Sequence, residues 1–278
     1  MKPYVLARIA AALVLLALGA GAHAQAQKAA KSEFRPEVGQ AGKDVIWVPT
    51  PDEVVERMLT LTQLGPGDFL VDLGSGDGRT VIAAAKKGAR ALGIEYNPEM
   101  VALAQKAARE AGVSAHAEFR KADIFDTDFS KATVITLYLL PELNLRLRPK
   151  ILEMKPGTRV ASHQFNMYDW EPDQTDMIDG HSVHYWRVPA KAAGRWTLQQ
   201  PGGPLDISFQ QSFQKLAGTA KAGGRNVEIK DAKLAGEAIS FVVTGDNGKP
   251  REYSGRVSGG TMEGTMKPGE VKWSASLN

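Results

Sequence analysis

Cysteine is absent from the 278 residues. Its absence excludes disulfides, thiolate catalysis, Cys-ligated metals and the lipoprotein route to a membrane. Long basic runs are also missing. Lys and Arg number 34 against 31 Asp and Glu, and without Lys2 and Arg8 the excess is one charge. Bulk charge therefore gives no ground for nucleic acid as a partner. Beyond the N-terminal segment no stretch is long and apolar enough to span a membrane.

What is present begins with that segment. Lys2 and Arg8 make a positive start, residues 9–20 are apolar, and Ala22-His23-Ala24 fits the small-x-small cleavage rule. The pattern predicts a signal peptide over residues 1–24 and a periplasmic or secreted mature chain starting at Gln25. The competing reading is an uncleaved segment anchoring the chain to the inner membrane. Residues 25–44, rich in Ala, Gln, Lys and Gly, show no periodicity and read as a flexible linker. About 250 residues then remain, enough for one large domain or two modest ones.

Residues 45–189 alternate short apolar strands with helical segments. Thr50-Pro51-Asp52-Glu53 has the form of a capping box, with apolar spacing to Leu64 and a stop at Gly65-Pro66-Gly67. Phe69-Leu70-Val71 leads to Asp72, then glycines at 74, 76 and 78, then a helix over 81–87. A second strand over 91–95 ends in Glu95, and Asn97-Pro98 opens a helix over 100–111. A third strand over 117–124 carries Asp123 at its end. A fourth over 132–138 ends in Tyr138, a helix fills 144–154, and a fifth strand over 158–163 ends in His163. This alternation predicts an α/β, Rossmann-like doubly wound sheet, parallel, with helices on both faces. Ligands in such folds sit at the carboxyl ends of the strands. Asp72, Glu95, Asp123, Tyr138 and His163 all fall there.

From residue 190 to 278 helical periodicity gives way to Gly and alternating patterns, with Asp246-Asn247-Gly248 as a hairpin turn. Lys215-Leu216-Ala217-Gly218 recurs as Lys233-Leu234-Ala235-Gly236, and Met262-Glu263-Gly264 echoes it. The region reads as a small β-rich antiparallel domain, a barrel or a sandwich.

The glycine turn admits two readings. A dinucleotide fold wants G-x-G-x-x-G; here the spacing is G-x-G-x-G with Asp72 two residues before Gly74. That form, D-x-G-x-G-x-G, resembles the nucleotide-binding motif of class I S-adenosylmethionine-dependent methyltransferases. The chemistry suits such a ligand: an acid receives its ammonium, N–H groups its carboxylate, Glu95 both ribose hydroxyls, and Asp123 with Ile124 and Phe125 the adenine.

The resemblance narrows with Pro49-Thr50-Pro51, Asp72-Leu73-Gly74-Ser75-Gly76-Asp77-Gly78-Arg79, Glu95-Tyr96-Asn97-Pro98, Asp123-Ile124-Phe125, Leu137-Tyr138-Leu139-Leu140-Pro141, Lys155-Pro156-Gly157 and Ser162-His163-Gln164-Phe165, with Trp170. In this order they resemble the protein-lysine methyltransferase family whose mitochondrial members modify the ATP synthase c-subunit and the adenine nucleotide translocase. The likeness covers about half of the mature chain and implies fold, activity and S-adenosyl-L-methionine as cofactor. It implies cofactor contacts from Thr50, Asp72, Gly74, Ser75, Gly76, Asp77, Gly78, Glu95, Asn97, Asp123, Ile124 and Phe125, with no metal. It implies a protein substrate presenting a lysine, with no nucleic acid. It leaves the acceptor's identity, the oligomeric state and any envelope association open.

In this fold the acceptor pocket follows the fourth strand, so Tyr138 is a candidate catalytic residue, through cation–π contact with the amine and through its hydroxyl. His163 is the second, as an aid to proton removal. Asp169 and Trp170 are candidate caps of the pocket. Leu140-Pro141 stands where other amino methyltransferases carry Asn or Asp before Pro-Pro, so no side-chain amide orients the nucleophile from that position. The alternative to an enzyme is an exported, non-catalytic ligand-binding or envelope interaction protein that retains the methyltransferase fold.

Overall fold

The computed structural model describes residues 34–222, 224–245 and 248–278. The expected signal peptide and its cleavage site, and Asp246 and Asn247 of the expected hairpin turn, lie outside the described residues. Among the described residues no helix is long and apolar enough to cross a membrane.

The apolar run before the glycines forms β1 (Phe69–Leu73), the central strand of a seven-stranded sheet. It pairs in parallel with β2 (Arg90–Glu95) on one side and, across the sheet, with β4 (Val134–Leu137). β3 (Ala117–Lys121) lies outside β2, and β5 (Arg159–His163) lies beyond β4, both parallel. An antiparallel hairpin, β6 (Gln174–Ile178) and β7 (His181–Arg187), completes the sheet, giving the order β3-β2-β1-β4-β5-β7-β6. The chain therefore winds outward from β1 in both directions, as the β-α alternation predicts.

Strand alternation divides the apolar residues between two faces. Leu70 joins Val55, Leu59, Val81, Ala104 and Phe119 under α1 (Asp52–Leu61), α2 (Arg79–Lys86) and α3 (Pro98–Glu110). Val71 and Leu73 join Ile94, Ile135, Leu147, Ile151 and Trp186 on the face covered by α4 (Pro141–Leu152). Asn97 caps α3 as its sequence suggests: its side-chain oxygen accepts from the Glu99 N–H at 2.8 Å.

Several expectations change. The capping box at Thr50 does not form: Pro51 is the cap residue of α1 and makes no side-chain cap bond, because the Thr50 hydroxyl is drawn to His163 instead. That helix ends at Leu61, not Leu64, and β3 ends at Lys121, which puts Asp123 on the following loop. The edge hairpin breaks the expected all-parallel pattern. Its outer strand β6 has no buried residue, so it carries no apolar signal in the sequence. Residues 39–47, from the end of the segment read as a linker into the start of the first domain, turn back on themselves: the Gly39 and Trp47 N–H groups donate to the Trp47 and Gln40 carbonyls, each at 2.9 Å.

The second sheet starts at β8 (Gly194–Gln199) and β9 (Leu205–Ser212) and continues through β10 (Lys215–Ala222), β11 (Arg225–Glu228), β12 (Lys230–Ala235), β13 (Ala238–Thr244), β14 (Pro250–Ser258), β15 (Thr261–Lys267) and β16 (Val271–Leu277). Each of β12 to β15 pairs antiparallel with the next, β16 returns to β8, β8 pairs with β9, and β9 pairs with β10, which meets β12 through Lys215 and Lys233. This closes an eight-stranded barrel, with β11 attached outside to β10. The two copies of the Lys-Leu-Ala-Gly repeat thus sit side by side at the seam. Closure removes the exposed edges that a sandwich would leave.

Side chains fill the barrel. Phe241 and Tyr253 stack with ring centroids 4.8 Å apart, and Trp273 meets both edge-on at 5.9 Å. Gly255 and Gly264 face each other across β14 and β15. A Cβ on Gly255 would lie 2.7 Å from the Trp273 ring, and one on Gly264 would lie 1.9 Å from the Ser254 carbonyl oxygen. The barrel meets the first sheet through the β9–β10 turn: Phe213 stacks on Trp170 with centroids 6.0 Å apart, and Gln214 donates to the Glu171 carbonyl at 2.7 Å.

Replacing Gly255 or Gly264 with Ala is expected to lower stability by about 1–3 kcal/mol each, as overpacked interiors do. Calorimetric melting checks this, and an unchanged transition for both variants contradicts the packing described.

Candidate active site

The turn after β1 is pinned to β2. The N–H groups of Gly74 and Ser75 both donate to the Ile94 carbonyl, at 2.9 and 3.0 Å. Gly74, Gly76 and Gly78 hold φ of 83°, 52° and 83°, where a side chain is strained. Gly78 is also fixed by packing, since a Cβ there would lie 2.5 Å from the Phe119 ring. At Gly76 a Cβ would come within 2.8 Å of the Trp47 indole nitrogen. The Ser75 hydroxyl is buried beside β2 and has no hydrogen-bond partner among the described residues.

Around this turn lies a cleft at the carboxyl ends of β1, β2 and β4. Its lining includes Thr50, Asp72, Gly74, Gly76, Asp77, Glu95, Asn97, Asp123, Ile124 and Tyr138. Asp72 is buried and accepts from the Thr136 hydroxyl of β4 at 2.7 Å. Burial pushes its pKa up to about 7; the Thr136 bond opposes this, and the charges of Asp77 and Glu95 reinforce it. Glu95 is held by backbone: Gly76 N–H donates to Oε2 at 3.0 Å and Asn97 N–H to Oε1 at 2.8 Å. Asp123 accepts from Phe125 N–H at 2.9 Å and is paired with Lys43, which also lies 4.9 Å from the centre of the Tyr96 ring. The Lys43 ammonium holds the Asp123 carboxyl below its usual range.

Asp77 faces Arg79 with both oxygens, at 3.1 and 2.6 Å, and Arg79 donates onward to the Thr50 carbonyl at 2.9 Å. Asp77 and Asn97 thus both shape the cleft through protein contacts. Phe125 is turned away from the cleft, with the Arg146 guanidinium 3.7 Å from its ring centre. Trp170 is fully buried between Trp186 and Phe213, and Asp169 pairs with Arg148; neither lines the cleft.

On the acceptor side, the Tyr138 ring lies 3.9 Å from the His163 ring and 6.1 Å from Phe165, centre to centre. Burial raises the Tyr138 pKa, keeping its hydroxyl protonated. His163 is only 1% exposed and stands behind the cleft wall. Its Nδ1 is 3.1 Å from the Thr50 hydroxyl and its Nε2 is 3.0 Å from Nδ1 of His181. Burial, helped by the facing His181, lowers its pKa to about 4, so the ring is neutral near neutral pH. Sequence reasoning missed Lys43, Trp47, Arg79, Thr136 and His181. Only Arg79 sits within a motif; the others arrive from distant parts of the chain.

Several comparisons bear on this arrangement. Residues 72–174 match the family model of the ANTKMT methyltransferase domain. A protein-lysine N-methyltransferase of Saccharolobus islandicus is 42% identical over 144 residues, covering 50% of this chain and 89% of its own length. The mouse lysine N-methyltransferase of the ATP synthase c-subunit is 37% identical over 130 residues, covering 46% of this chain and 52% of its own length. A solved structure described as an RNA methyltransferase from Salinibacter ruber, in complex with S-adenosyl-L-homocysteine, shares 51% identity with a TM-score of 0.51, covering 52% of this chain and 95% of that one. The family model stops at residue 174, before the barrel. The glycine cradle and the acids around it fit S-adenosyl-L-methionine, the cofactor of this fold. The strand order, the glycine turn with its buried carboxylate and the 89% span of the Saccharolobus relative have one meaning: the chain belongs to the protein-lysine N-methyltransferase family of class I S-adenosylmethionine-dependent methyltransferases.

Proposed function

We propose that this enzyme transfers a methyl group from S-adenosyl-L-methionine to the side-chain amine of a protein lysine. The observation that carries the reading is the cleft itself: a buried acid and three half-buried acids line one end, and an aromatic ring backed by a neutral histidine lines the other. The lysine acceptor is supported by the names of the Saccharolobus and mouse relatives.

When bound, the cofactor supplies an electrophilic methyl group. The chain supplies position and environment. Asp72 receives the ammonium of the amino acid moiety, Glu95 the ribose hydroxyls and Asp123 the adenine amine; for the last, Lys43 gives up its ion pair. The Tyr138 ring borders the acceptor channel, attracts the incoming cation and shields it from water. Lysine must react as a free amine, so a proton must leave before transfer. His163, neutral and buried, is available to take part in that removal.

The chain carries no basic run, which favours a protein acceptor over RNA. The direct test is incubation of the mature protein with labelled cofactor and envelope proteins, read by mass spectrometry. Methyl additions on lysine are expected; label found only in RNA overturns the lysine reading. The N-terminal pattern adds export as part of this proposal. Sequencing the N-terminus of protein recovered from the periplasmic fraction is expected to start at Gln25, and an intact Met1 contradicts cleavage.

The raised pKa of Asp72 gives a pH dependence. The carboxylate is the form that pairs with an ammonium. Below about 7 the free site holds Asp72 protonated and must release that proton to bind. Affinity for S-adenosyl-L-homocysteine is therefore expected to fall as pH drops from 7, by up to about tenfold per pH unit. Calorimetry is expected to show proton release below pH 7. Asp72→Asn should weaken binding about 10- to 100-fold and flatten this dependence; a wild-type affinity that stays level with pH rules out the assignment.

A further inference from the structure

His163 poses a difficulty if it acts alone. It does not line the cleft, and its low pKa means that it cannot hold a proton at neutral pH. Its two ring nitrogens, however, are both engaged. Thr50, which lines the cleft, is 3.1 Å from Nδ1, and His181 is 3.0 Å from Nε2. We propose that Thr50, His163 and His181 form a proton relay that carries the acceptor's ammonium proton from the cleft, behind the sheet wall, to solvent at the β6–β7 turn. This rests on the lysine reading above.

The geometry has the properties such a relay needs. A neutral imidazole has one donor and one acceptor nitrogen, and a hydroxyl both gives and accepts. The two hydrogen bonds therefore run in the same direction. If Thr50 donates to His163 Nδ1, His163 Nε2–H donates to His181 Nδ1, and His181 Nε2–H is left to face outward. His181 is half-buried and opens β7, next to Asp179 and Gly180 of the turn. His163 itself is sealed by Tyr138 on the cleft side. His184, the other histidine of β7, is excluded because it is bonded to Thr175 and to the Gln164 carbonyl.

The step balances. The lysine ammonium N–H bond breaks, its proton passes to Thr50 Oγ1, and its electron pair stays on nitrogen, ready for in-line attack. The former Thr50 hydroxyl proton moves to His163 Nδ1, the His163 Nε2 proton to His181 Nδ1, and the His181 Nε2 proton to water. One proton enters and one leaves, and neither ring ends charged. The low pKa of His163 now fits, since a relay member should pass a proton on and not store it. After product release water enters the cleft. A proton then enters at His181, one leaves from Thr50 to that water, and the original direction is restored.

Thr50 touches the substrate in this scheme, whereas His181 acts through His163. His181→Ala and Thr50→Val are the variants to make. Each is expected to lower kcat about 10²-fold with melting temperature kept near wild type, and His181→Ala, which lies outside the cofactor cleft, is expected to keep S-adenosyl-L-homocysteine affinity near wild type as well. Added imidazole is expected to restore part of the activity of His181→Ala, and the solvent deuterium isotope effect on kcat should change in both variants. Nitrogen NMR of the histidine rings supplies a readout independent of turnover: His163 and His181 should share one tautomer in the wild type, and His163 should lose that preference in His181→Ala. Unchanged kcat with an unchanged His163 tautomer overturns the relay. Lost kcat with no imidazole rescue and an unchanged isotope effect also overturns it, by showing a structural role. Failure of the wild type to methylate any lysine counts against the lysine reading, while the NMR result still decides whether the rings are coupled.

Discussion

The close approach of the glycine turn to β2 is the constraint on which the site depends. Ile94 gives one carbonyl to two turn amides, Glu95 gives a carboxylate oxygen to a third, and Gly78 leaves room for Phe119. Because β1 and β2 are adjacent and parallel, this contact brings Asp72 and Glu95 to one end of the sheet. A side chain at position 78 would push α2 off the sheet and open the cleft. The turn's backbone is thus both the scaffold and the working surface.

Electrostatics follow from that packing. Asp72 is buried against a neutral hydroxyl, with no cation among the described residues bonded to it, so its charge is costly and its pKa rises. Asp77 and Asp123 lie nearer solvent, and each is met by a cation, Arg79 or Lys43. The cleft therefore holds one acid poised to exchange its proton for a cationic ligand group and others already compensated. The acceptor side is the reverse: its titratable groups, Tyr138 and His163, are both held neutral by burial. A neutral, ring-lined channel suits an amine that must lose its charge before reacting.

The barrel is coupled to the acceptor-side loop through the β9–β10 turn, and its β12–β13 turn also packs on the first sheet, where Gly236 accepts from Ala190 N–H and lies against Arg187. Phe213 stacks on Trp170, and Gln214 and Lys215 engage Glu171. Those residues follow Phe165 and Tyr168 on the loop after β5, and that loop is gripped from the other side by Asn144 and Arg148 of α4. The acceptor-side loop is therefore held between a helix of the first sheet and a turn of the second.

Local chemistry could be read from the chain alone. The apolar run, Asp72 and the three glycines define strand, turn and helix start. Asn97 before Pro98 defines a helix cap, and the acids after successive strands place a cleft at one sheet end. Alternation and Gly-rich turns identify the second region as antiparallel. These signals are legible because each depends on neighbours within a few residues. The meeting of Thr50, His163 and His181, the Lys43–Asp123 pair, the β6–β7 edge hairpin and closure of the barrel were decided only by tertiary structure. Residues 50, 163 and 181 are brought together by a helix start, a strand end and a returning hairpin, so no spacing encodes their contact. Thr50 makes the point most clearly: its sequence reads as a helix cap, yet folding offers its hydroxyl a buried histidine, and that long-range hydrogen bond displaces the local one.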